Sequence, residues 1–202
     1  MNHMRTVCLL ALSALVCTAQ TPPPAPAELP ATPGLYAIID TSQGQIVAEL
    51  YEKQAPMTVK NFVDLAKGTK AAKNKADVLV KRPYYNGLTF HRVIKGFMIQ
   101  TGDVKATGST DCGFHIKDEI DPTLKFDTAG RLAMANTGSP NTAACQFFIT
   151  VSKPAYLNGG YAIFGQVVSG QEVADKISQV PTSNEKPIVP VVIKTITIQR
   201  KE

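Results

Sequence analysis

Short, apolar, β-like runs follow one another from residue 34 to the end of the chain, and they constrain its fold more than any other feature. They are rich in Ile, Val, Phe and Thr, which fit the pleated surface of a sheet. Turn-forming residues separate the runs, and Ser42, Gln43 and Gly44 predict a hairpin turn. The predicted strands span residues 34–41, 44–51, 88–94, 97–102, 131–137, 145–152, 161–169 and 190–200. We therefore predict a mostly β protein.

Two segments have a helical pattern instead. In the first, Pro56 stands where a helix start tolerates proline, apolar residues recur at helical spacing from Val59 to Ala66, and Gly68 ends the pattern. The second helix is predicted from about residue 171 to 178. Eight antiparallel strands are enough to close a barrel whose interior is filled by its own side chains. We predict a closed eight-stranded antiparallel β-barrel whose open ends are capped by the two helices.

The first 33 residues differ from the rest of the chain. Arg5 and the apolar run 7–17 form the pattern of an export signal, with cleavage expected after Ala19. A buried N-terminal helix and acylation of Cys17 are the alternatives. Residues 20–33 contain six prolines, which predicts a stiff, extended linker. The predicted divisions are a signal peptide at 1–19, a linker at 20–33 and one folded domain at 34–202.

The leader predicts an exported bacterial protein located in the periplasm, with a lipid-anchored form through Cys17 and a secreted form as alternatives. After the leader the chain keeps two cysteines, Cys112 and Cys145. In an oxidising compartment they either form one disulfide or remain free thiols, and the sequence leaves both open. His91 and His115 lack the spacing of metal ligands, so we expect no metal and no cofactor.

The charge distribution argues against a nucleic-acid partner. The net charge of +5 would attract an anionic surface, but Lys and Arg are scattered and no aromatic residues alternate with them. Residues 67–82 are the one concentrated basic segment, with six basic residues against one Asp. This segment is either a docking patch for an acidic partner or a solvated loop.

Nucleophilic catalysis has little support in the sequence. The chain contains no Gly-x-Ser-x-Gly turn, glycine-rich phosphate loop or paired-carboxylate signature. His91 precedes Arg92 in a predicted strand, so the two side chains point to opposite faces. Cys145 lies in an apolar run, where a thiol is usually buried and inert. Hydrolase chemistry is therefore not expected.

The segment FHRVIKGFMIQTGD, residues 90–103, places one Arg among apolar and amide side chains. Arg92 and Gln100 are close in sequence to Phe97 and Met98, and Phe148 ends a later apolar run. Such a set can build a small apolar pocket with polar groups at its rim, suited to a rigid ring such as proline. Rotation about an X–Pro bond needs no nucleophile, metal or cofactor. A guanidinium donor would stabilise the twisted amide of the transition state more than either planar form.

Three segments resemble the signatures of one family, the cyclophilin-type peptidyl-prolyl cis-trans isomerases. They are residues 90–103, MANTGSPNTAACQFFIT at 134–150 and YLNGGYAIFGQVVSG at 156–170. The resemblance covers about residues 34–200. It implies an eight-stranded antiparallel barrel capped by two helices. It also implies a folding helper that isomerises X–Pro bonds in unfolded or flexible polypeptides.

The resemblance further implies roles for single residues. Arg92 corresponds to the family's catalytic arginine, and Gln100 corresponds to the glutamine that orients the arginine and contacts the substrate. The implied walls of the proline pocket are Phe97, Met98, Phe148 and Leu157. The implied substrate-binding residues along the groove are Ala135, Asn136, Thr137 and Gln146, with Tyr156 and Tyr161 at the rim.

Several positions depart from the family pattern. Tyr156 stands where many eukaryotic members carry Trp, a position tied to tight cyclosporin binding, so weak cyclosporin binding is expected. Tyr161 stands where many members carry His, and it keeps a ring at the pocket. His91 is expected to be structural and hydrogen-bonded within the barrel. The loop after Asp103 is shorter than in well-known members, which affects the outer pocket that reads residues before proline.

The expected partners are proline-containing unfolded or flexible polypeptides, and the chain is expected to act as a monomer. A rival hypothesis is a binding module that keeps the proline groove without catalysis, and the presence of Arg92 argues against it. A third hypothesis is a scaffold tethered by residues 20–33 that contacts its partner through residues 67–82.

Overall fold

A computed structural model describes residues 29–202. The predicted signal peptide and most of the predicted linker, residues 1–28, lie outside the described residues. Within residues 29–202, no helix is both long enough and apolar enough to cross a membrane. Regular structure begins with a strand at Gly34, where the folded domain is predicted to start.

The fold is mostly β, as the sequence predicts. The strands are β1 (Gly34–Thr41), β2 (Gly44–Leu50), β3 (Ala72–Lys73), β4 (Leu79–Val80), β5 (Arg92–Ile94), β6 (Met98–Thr101), β7 (Arg131–Met134), β8 (Phe147–Thr150), β9 (Ile163–Ser169), β10 (Thr182–Ser183), β11 (Lys186–Pro187) and β12 (Ile193–Lys201). Eight of them form one antiparallel sheet in the order β12-β1-β2-β9-β7-β8-β6-β5. The other four form two short hairpins, β3–β4 and β10–β11.

The sheet is open along one seam, so the predicted closed barrel is wrong in that respect. The edge strands β5 and β12 are not joined by a ladder, and an isolated bridge links Thr89 to Val192 just outside them. The β10–β11 hairpin covers the free edge of β5, where the Val93 amide donates to the Glu185 carbonyl at 2.6 Å. This hairpin takes up the Val93 amide of β5, no ladder joins β5 to β12, and the eight strands make a half-barrel.

Both α-helices form where the sequence predicts them, α1 at Pro56–Lys67 and α2 at Gln171–Ser178. Gly68 ends α1 in the left-handed conformation, with a φ of 76°. A Cβ atom at Gly68 would lie 2.3 Å from the carbonyl carbon of Arg82, so glycine is required there for both conformation and space. Both helices bury apolar residues in the main core of the protein, although Met57 in the first turn of α1 is exposed.

The two faces of the sheet carry separate apolar clusters. The larger cluster is the main core, and the ring of Phe62 from α1 lies at its centre, with ring centroids 5.3 Å from Tyr85, 5.2 Å from Phe147 and 5.1 Å from Phe164. The smaller cluster contains Met98, Phe126, Ala133, Phe148, Leu157 and Ile163. Successive residues of a strand point to opposite faces, so Phe147 and its neighbour Phe148 belong to different clusters.

A disulfide joins Cys112 to Cys145, with their Cα atoms 6.4 Å apart. Both residues are buried. The question left open by the sequence is thereby answered in favour of a bridge. The bridge links the long loop after β6 to the residues that lead into β8.

The basic segment 67–82 contains the β3–β4 hairpin, which was not predicted. Lys73 forms an ion pair with Asp111, and Lys70 lies 3.5 Å from the ring centroid of Phe114. Asp77 accepts a hydrogen bond from Lys105 at 2.8 Å. Contacts within the protein therefore already use part of the charge of this segment.

Candidate active site

The β5–β6 hairpin brings the predicted catalytic residues together. Gly96, with a φ of 71°, permits the tight turn between the two strands. The resulting register pairs Arg92 with Gln100, and the next strand pairs Gln100 with Phe148. Cross-strand neighbours point to the same face, so all three side chains lie on the face of the smaller apolar cluster. The site is therefore built on the sheet face opposite the main core.

A cavity of about 270 Å³ opens on this face. Nine of the predicted site residues line it, together with Gly108, which was not predicted. The lining residues are Arg92, Phe97, Met98, Gln100, Gly108, Ala135, Asn136, Phe148, Leu157 and Tyr161.

The apolar floor of the cavity is held in place by aromatic contacts. The ring of Phe148 stacks on Phe126 at 6.0 Å and meets Tyr161 edge-on at 5.5 Å. Met98 and Leu157 are almost fully buried beside it, and Leu157 comes from a short 3₁₀ helix at Ala155–Leu157. Side chains packed in this way present a preformed apolar surface to a ring-shaped ligand.

A chain of hydrogen bonds runs along the polar rim of the cavity. The Arg92 Nη1 group donates to Gln100 Oε1 at 3.4 Å, Gln100 Nε2 donates to Gln146 Oε1 at 2.9 Å, and Gln146 Nε2 donates to the Gly108 carbonyl at 3.1 Å. On its other side, Arg92 Nε donates to Glu185 Oε2 at 2.6 Å. Among the described residues, the Nη2 group of Arg92 has no hydrogen-bond partner, so it can donate to a ligand.

A second cavity of about 270 Å³ adjoins the first and shares Gln100, Gly108, Ala135 and Asn136 with it. Thr137 and Gln146 line this outer cavity and not the apolar one. Its remaining wall comes from residues 109–112, His115, Thr142 and the segment 144–145, and it includes both disulfide cysteines. The structure thus divides the predicted substrate-binding residues between two neighbouring depressions.

Tyr156 lies outside both cavities. Its side chain is 75% exposed, and its ring lies 5.8 Å from that of Phe97. The position is consistent with a rim residue that touches only the outer part of a large ligand.

His91 adjoins Arg92 in the chain but lines neither cavity. It is buried, as expected for a structural residue. No well-formed hydrogen bond reaches either ring nitrogen of His91 within residues 29–202, but the side chain of Gln146 lies close enough to act on its pKa as a hydrogen-bond partner, so the predicted hydrogen bond stays a prediction. Burial lowers the pKa of His91, and the nearby Asp103 carboxylate opposes this shift only in part. Burial therefore favours the neutral form of His91.

Asp103 organises the loop that begins after β6. Its carboxylate accepts hydrogen bonds from the amides of Lys105, Thr107 and Gly108 at 2.8, 3.1 and 2.6 Å. Burial alone would raise the pKa of Asp103, but its hydrogen bonds, including one to Thr110, lower the pKa overall. The loop places the Gly108 carbonyl at the rim, where it meets Gln146.

Two residues of the hydrogen-bonded chain at the rim of the apolar cavity were missed by sequence reasoning. Gly108 carries no side chain that could have signalled a role, and its position follows from the Asp103-centred loop. Glu185 lies 93 residues from Arg92 in the chain. One local signal was available for Glu185, since the turn Asn184-Glu185 has Glu where a hairpin favours Gly.

Comparisons with known proteins agree with this architecture. The family model described as "Cyclophilin type peptidyl-prolyl cis-trans isomerase/CLD" matches residues 36–198. The chain is 46% identical over 166 residues to "Peptidyl-prolyl cis-trans isomerase A" of Mycobacterium tuberculosis, which covers 80% of this chain and 91% of that protein. It is 43% identical over 160 residues to human "Peptidyl-prolyl cis-trans isomerase-like 1", which covers 77% of this chain and 86% of that protein.

A solved structure with the same fold comes from Cryptosporidium parvum. This cyclophilin-type isomerase superimposes with a TM-score of 0.72 at 36% identity, and the match covers 83% of this chain and 98% of that chain. A second structure of the same protein, solved in the presence of the dipeptide Ala-Pro, matches with the same TM-score. With the family model spanning nearly the whole described domain, the chain belongs to the cyclophilin-type peptidyl-prolyl cis-trans isomerases.

Proposed function

We propose that this chain catalyses rotation about X–Pro peptide bonds in unfolded or flexible polypeptides and thereby assists protein folding. One observation carries the proposal: the guanidinium of Arg92 stands at the rim of an apolar cavity large enough for a proline ring. The relative solved in the presence of Ala-Pro supports this substrate class. The expected active unit is the monomer, which size-exclusion chromatography with light scattering would test.

The reaction is limited by amide resonance. The barrier to rotation is about 18–20 kcal/mol, so the uncatalysed reaction takes roughly 10–100 s. In the twisted transition state the prolyl nitrogen loses conjugation and regains a basic lone pair. A donor at that nitrogen, or at the adjoining carbonyl, stabilises this state more than either planar isomer. An acceleration of about 10⁵-fold requires roughly 7 kcal/mol of such stabilisation.

Arg92 is the group proposed to supply this stabilisation. Its planar guanidinium fork can be held in one orientation. Two of its nitrogens are already hydrogen-bonded to Glu185 and Gln100, which leaves Nη2 for the substrate. The donor acts next to apolar side chains, where a fixed dipole is worth more than in water.

The remaining site residues are proposed to bind the polypeptide. Phe97, Met98, Phe148 and Leu157 hold the proline ring, with Tyr161 closing one side. Ala135, Asn136 and Thr137 bind the backbone of the substrate along the rim, and Gln146 contacts it between the two cavities. The outer cavity receives residues that precede the proline.

Export to a bacterial periplasm is proposed from the leader and from the disulfide. Disulfides persist in oxidising compartments and are rare in the cytosol, so the Cys112–Cys145 bridge fits an exported protein. N-terminal sequencing of the mature protein would test this: a chain beginning at Gln20 supports a soluble form, and a blocked N-terminus at Cys17 supports a lipid-anchored one. Recovery from the culture medium would instead indicate a secreted form.

A protease-coupled isomerisation assay with a proline-containing tetrapeptide tests the catalytic proposal. Wild type should exceed the thermal rate, and Arg92→Ala should lose most of this excess. Arg200→Ala is a matched control, because Arg200 also forms a surface ion pair, with Glu52, away from both cavities. Wild-type activity at background would leave only the binding-module hypothesis, and equal activity in wild type and Arg92→Ala would overturn the role of Arg92.

A further inference from the structure

Arg92 is held by a carboxylate from a part of the chain that is remote in sequence. Glu185 stands in the turn between β10 and β11, and its Oε2 atom accepts the Arg92 Nε–H at 2.6 Å. Both side chains are about half exposed, at 43% and 49%. Exposed ion pairs contribute little to folding stability. The contact therefore needs an explanation other than stabilisation of the fold.

The backbone at Glu185 is strained. Asn184 and Glu185 adopt φ values of 48° and 63°, so both lie in the left-handed region. Two-residue hairpin turns of this kind strongly prefer Asn-Gly, because Gly takes a positive φ without steric cost. A glutamate at the second position keeps an unfavourable conformation. Strain of this kind persists chiefly where the side chain has a function.

The hairpin itself is anchored to the strand that carries Arg92. The Glu185 carbonyl accepts the amide of Val93, the residue after Arg92, at 2.6 Å. The backbone of Glu185 is thus fixed next to β5, and its carboxylate is presented to Arg92 from a rigid support.

We propose that Glu185 is a positioning residue for Arg92. By accepting the Nε–H, it fixes the plane of the guanidinium and directs the opposite edge of the fork toward the cavity. Gln100 holds Nη1 from the other side, so Nη2 is left oriented toward the prolyl amide. A long, flexible side chain is thereby ordered before the substrate arrives, which lowers the cost of reaching the transition state. The inference rests on the proposed isomerase function.

The decisive variant is Glu185→Gly, because it improves the turn while it removes the carboxylate. We expect the melting temperature to be unchanged or raised, since the Asn-Gly turn relieves the strain at this position. We expect kcat to fall about fivefold, because the Arg92 side chain would no longer be held in one orientation and would have to be ordered during the reaction. We expect KM to change by less than about twofold. NMR exchange measurements on a proline peptide give kcat and KM separately.

Two companion variants separate orientation from charge. Glu185→Gln keeps an oxygen acceptor for the Nε–H and should retain more than half of the wild-type kcat. Glu52→Gln is the matched control, because it removes a carboxylate from the exposed Arg200 pair and changes the net charge equally. It should behave as wild type.

A spectroscopic readout reports on Arg92 directly. In wild type, the Nε–Hε resonance of Arg92 should be observable and slow to exchange with water. The Glu185→Gly substitution should speed the exchange of the Arg92 Nε–H proton with water. The Glu185→Gln substitution should speed this exchange to a smaller extent. In the Arg92→Ala background, Glu185→Gly should have no further effect on the rate, since residues that act as a unit are not additive.

The outcomes distinguish the positioning role from the function on which it rests. A wild-type rate at background would refute the isomerase function itself. An active wild type, an impaired Arg92→Ala and a Glu185→Gly variant with unchanged or raised kcat would refute the positioning role alone. The positioning role would also be refuted if Glu185→Gly lowered kcat by the same factor in the Arg92→Ala background as in wild type.

Discussion

The Cys112–Cys145 bridge is expected to supply a substantial share of the stability of this domain. The two cysteines are 33 residues apart in sequence. Closing a loop of that length in the unfolded chain corresponds to about 4 kcal/mol in the chain-entropy model. For a domain of this size, each kcal/mol shifts the melting temperature by about 2–4 °C, so reduction should lower it by about 8–16 °C.

Urea denaturation of the same wild-type protein, oxidised and fully reduced, measures this difference without a change of side-chain volume. Reduction should lower the free energy of unfolding by about 4 kcal/mol and raise the m-value, because the unfolded chain without the bridge exposes more surface. The Cys112→Ala/Cys145→Ala double variant should show no response to reductant. A loss below about 1 kcal/mol on reduction, with an unchanged m-value, would refute the loop-closure reasoning.

Two further predictions concern single residues of the domain. Because burial lowers the pKa of His91, the imidazole binds a proton more readily in the unfolded chain than in the folded one. The contribution of His91 to the free energy of unfolding is therefore fully present above about pH 6.5 and is lost as the pH falls below that value. The urea concentration at the unfolding midpoint should therefore decline from pH 7.5 to 5 in wild type and decline less in His91→Gln. An equal decline in both proteins would show that His91 does not cause the pH dependence. Cyclosporin should inhibit wild type weakly, and Tyr156→Trp should tighten inhibition about tenfold, or about 1.4 kcal/mol; nanomolar inhibition of wild type would contradict the expectation.

Local chemistry made part of the fold predictable from the sequence. Pro56 and Gly68 mark the two ends of α1 because each meets a backbone requirement that few other residues meet. The hairpin of β1 and β2 turns at Ser42 and Gln43 as expected. Strand limits were less accurate, since the predicted strand 88–94 shrinks to Arg92–Ile94. Residues 87–90 bond instead to the segment near Val192, and such pairing depends on remote residues.

The open seam of the sheet could not be read from the sequence for a related reason. Strands β10 and β11 are only two residues long, so they show no periodicity. Their hairpin nevertheless decides how the edge of β5 is used, and it also places Glu185 beside Arg92. The apolar walls of the cavity were predicted because they lie in motif segments, whereas Glu185 lies in a surface turn outside them.

Successive side chains of β6 and β8 alternate between the cavity and the main core, so the two faces of the sheet depend on the same strand register. Point substitutions do not reveal this dependence. In β6, Met98 faces the cavity and Ile99 faces the main core, and in β8 Phe148 and Ile149 divide in the same manner. A substitution can change one face and spare the other. Loss of a single residue from either strand would exchange the faces of every residue beyond it. We therefore expect homologous sequences to tolerate some side-chain substitutions in these strands but to show no insertions or deletions within them.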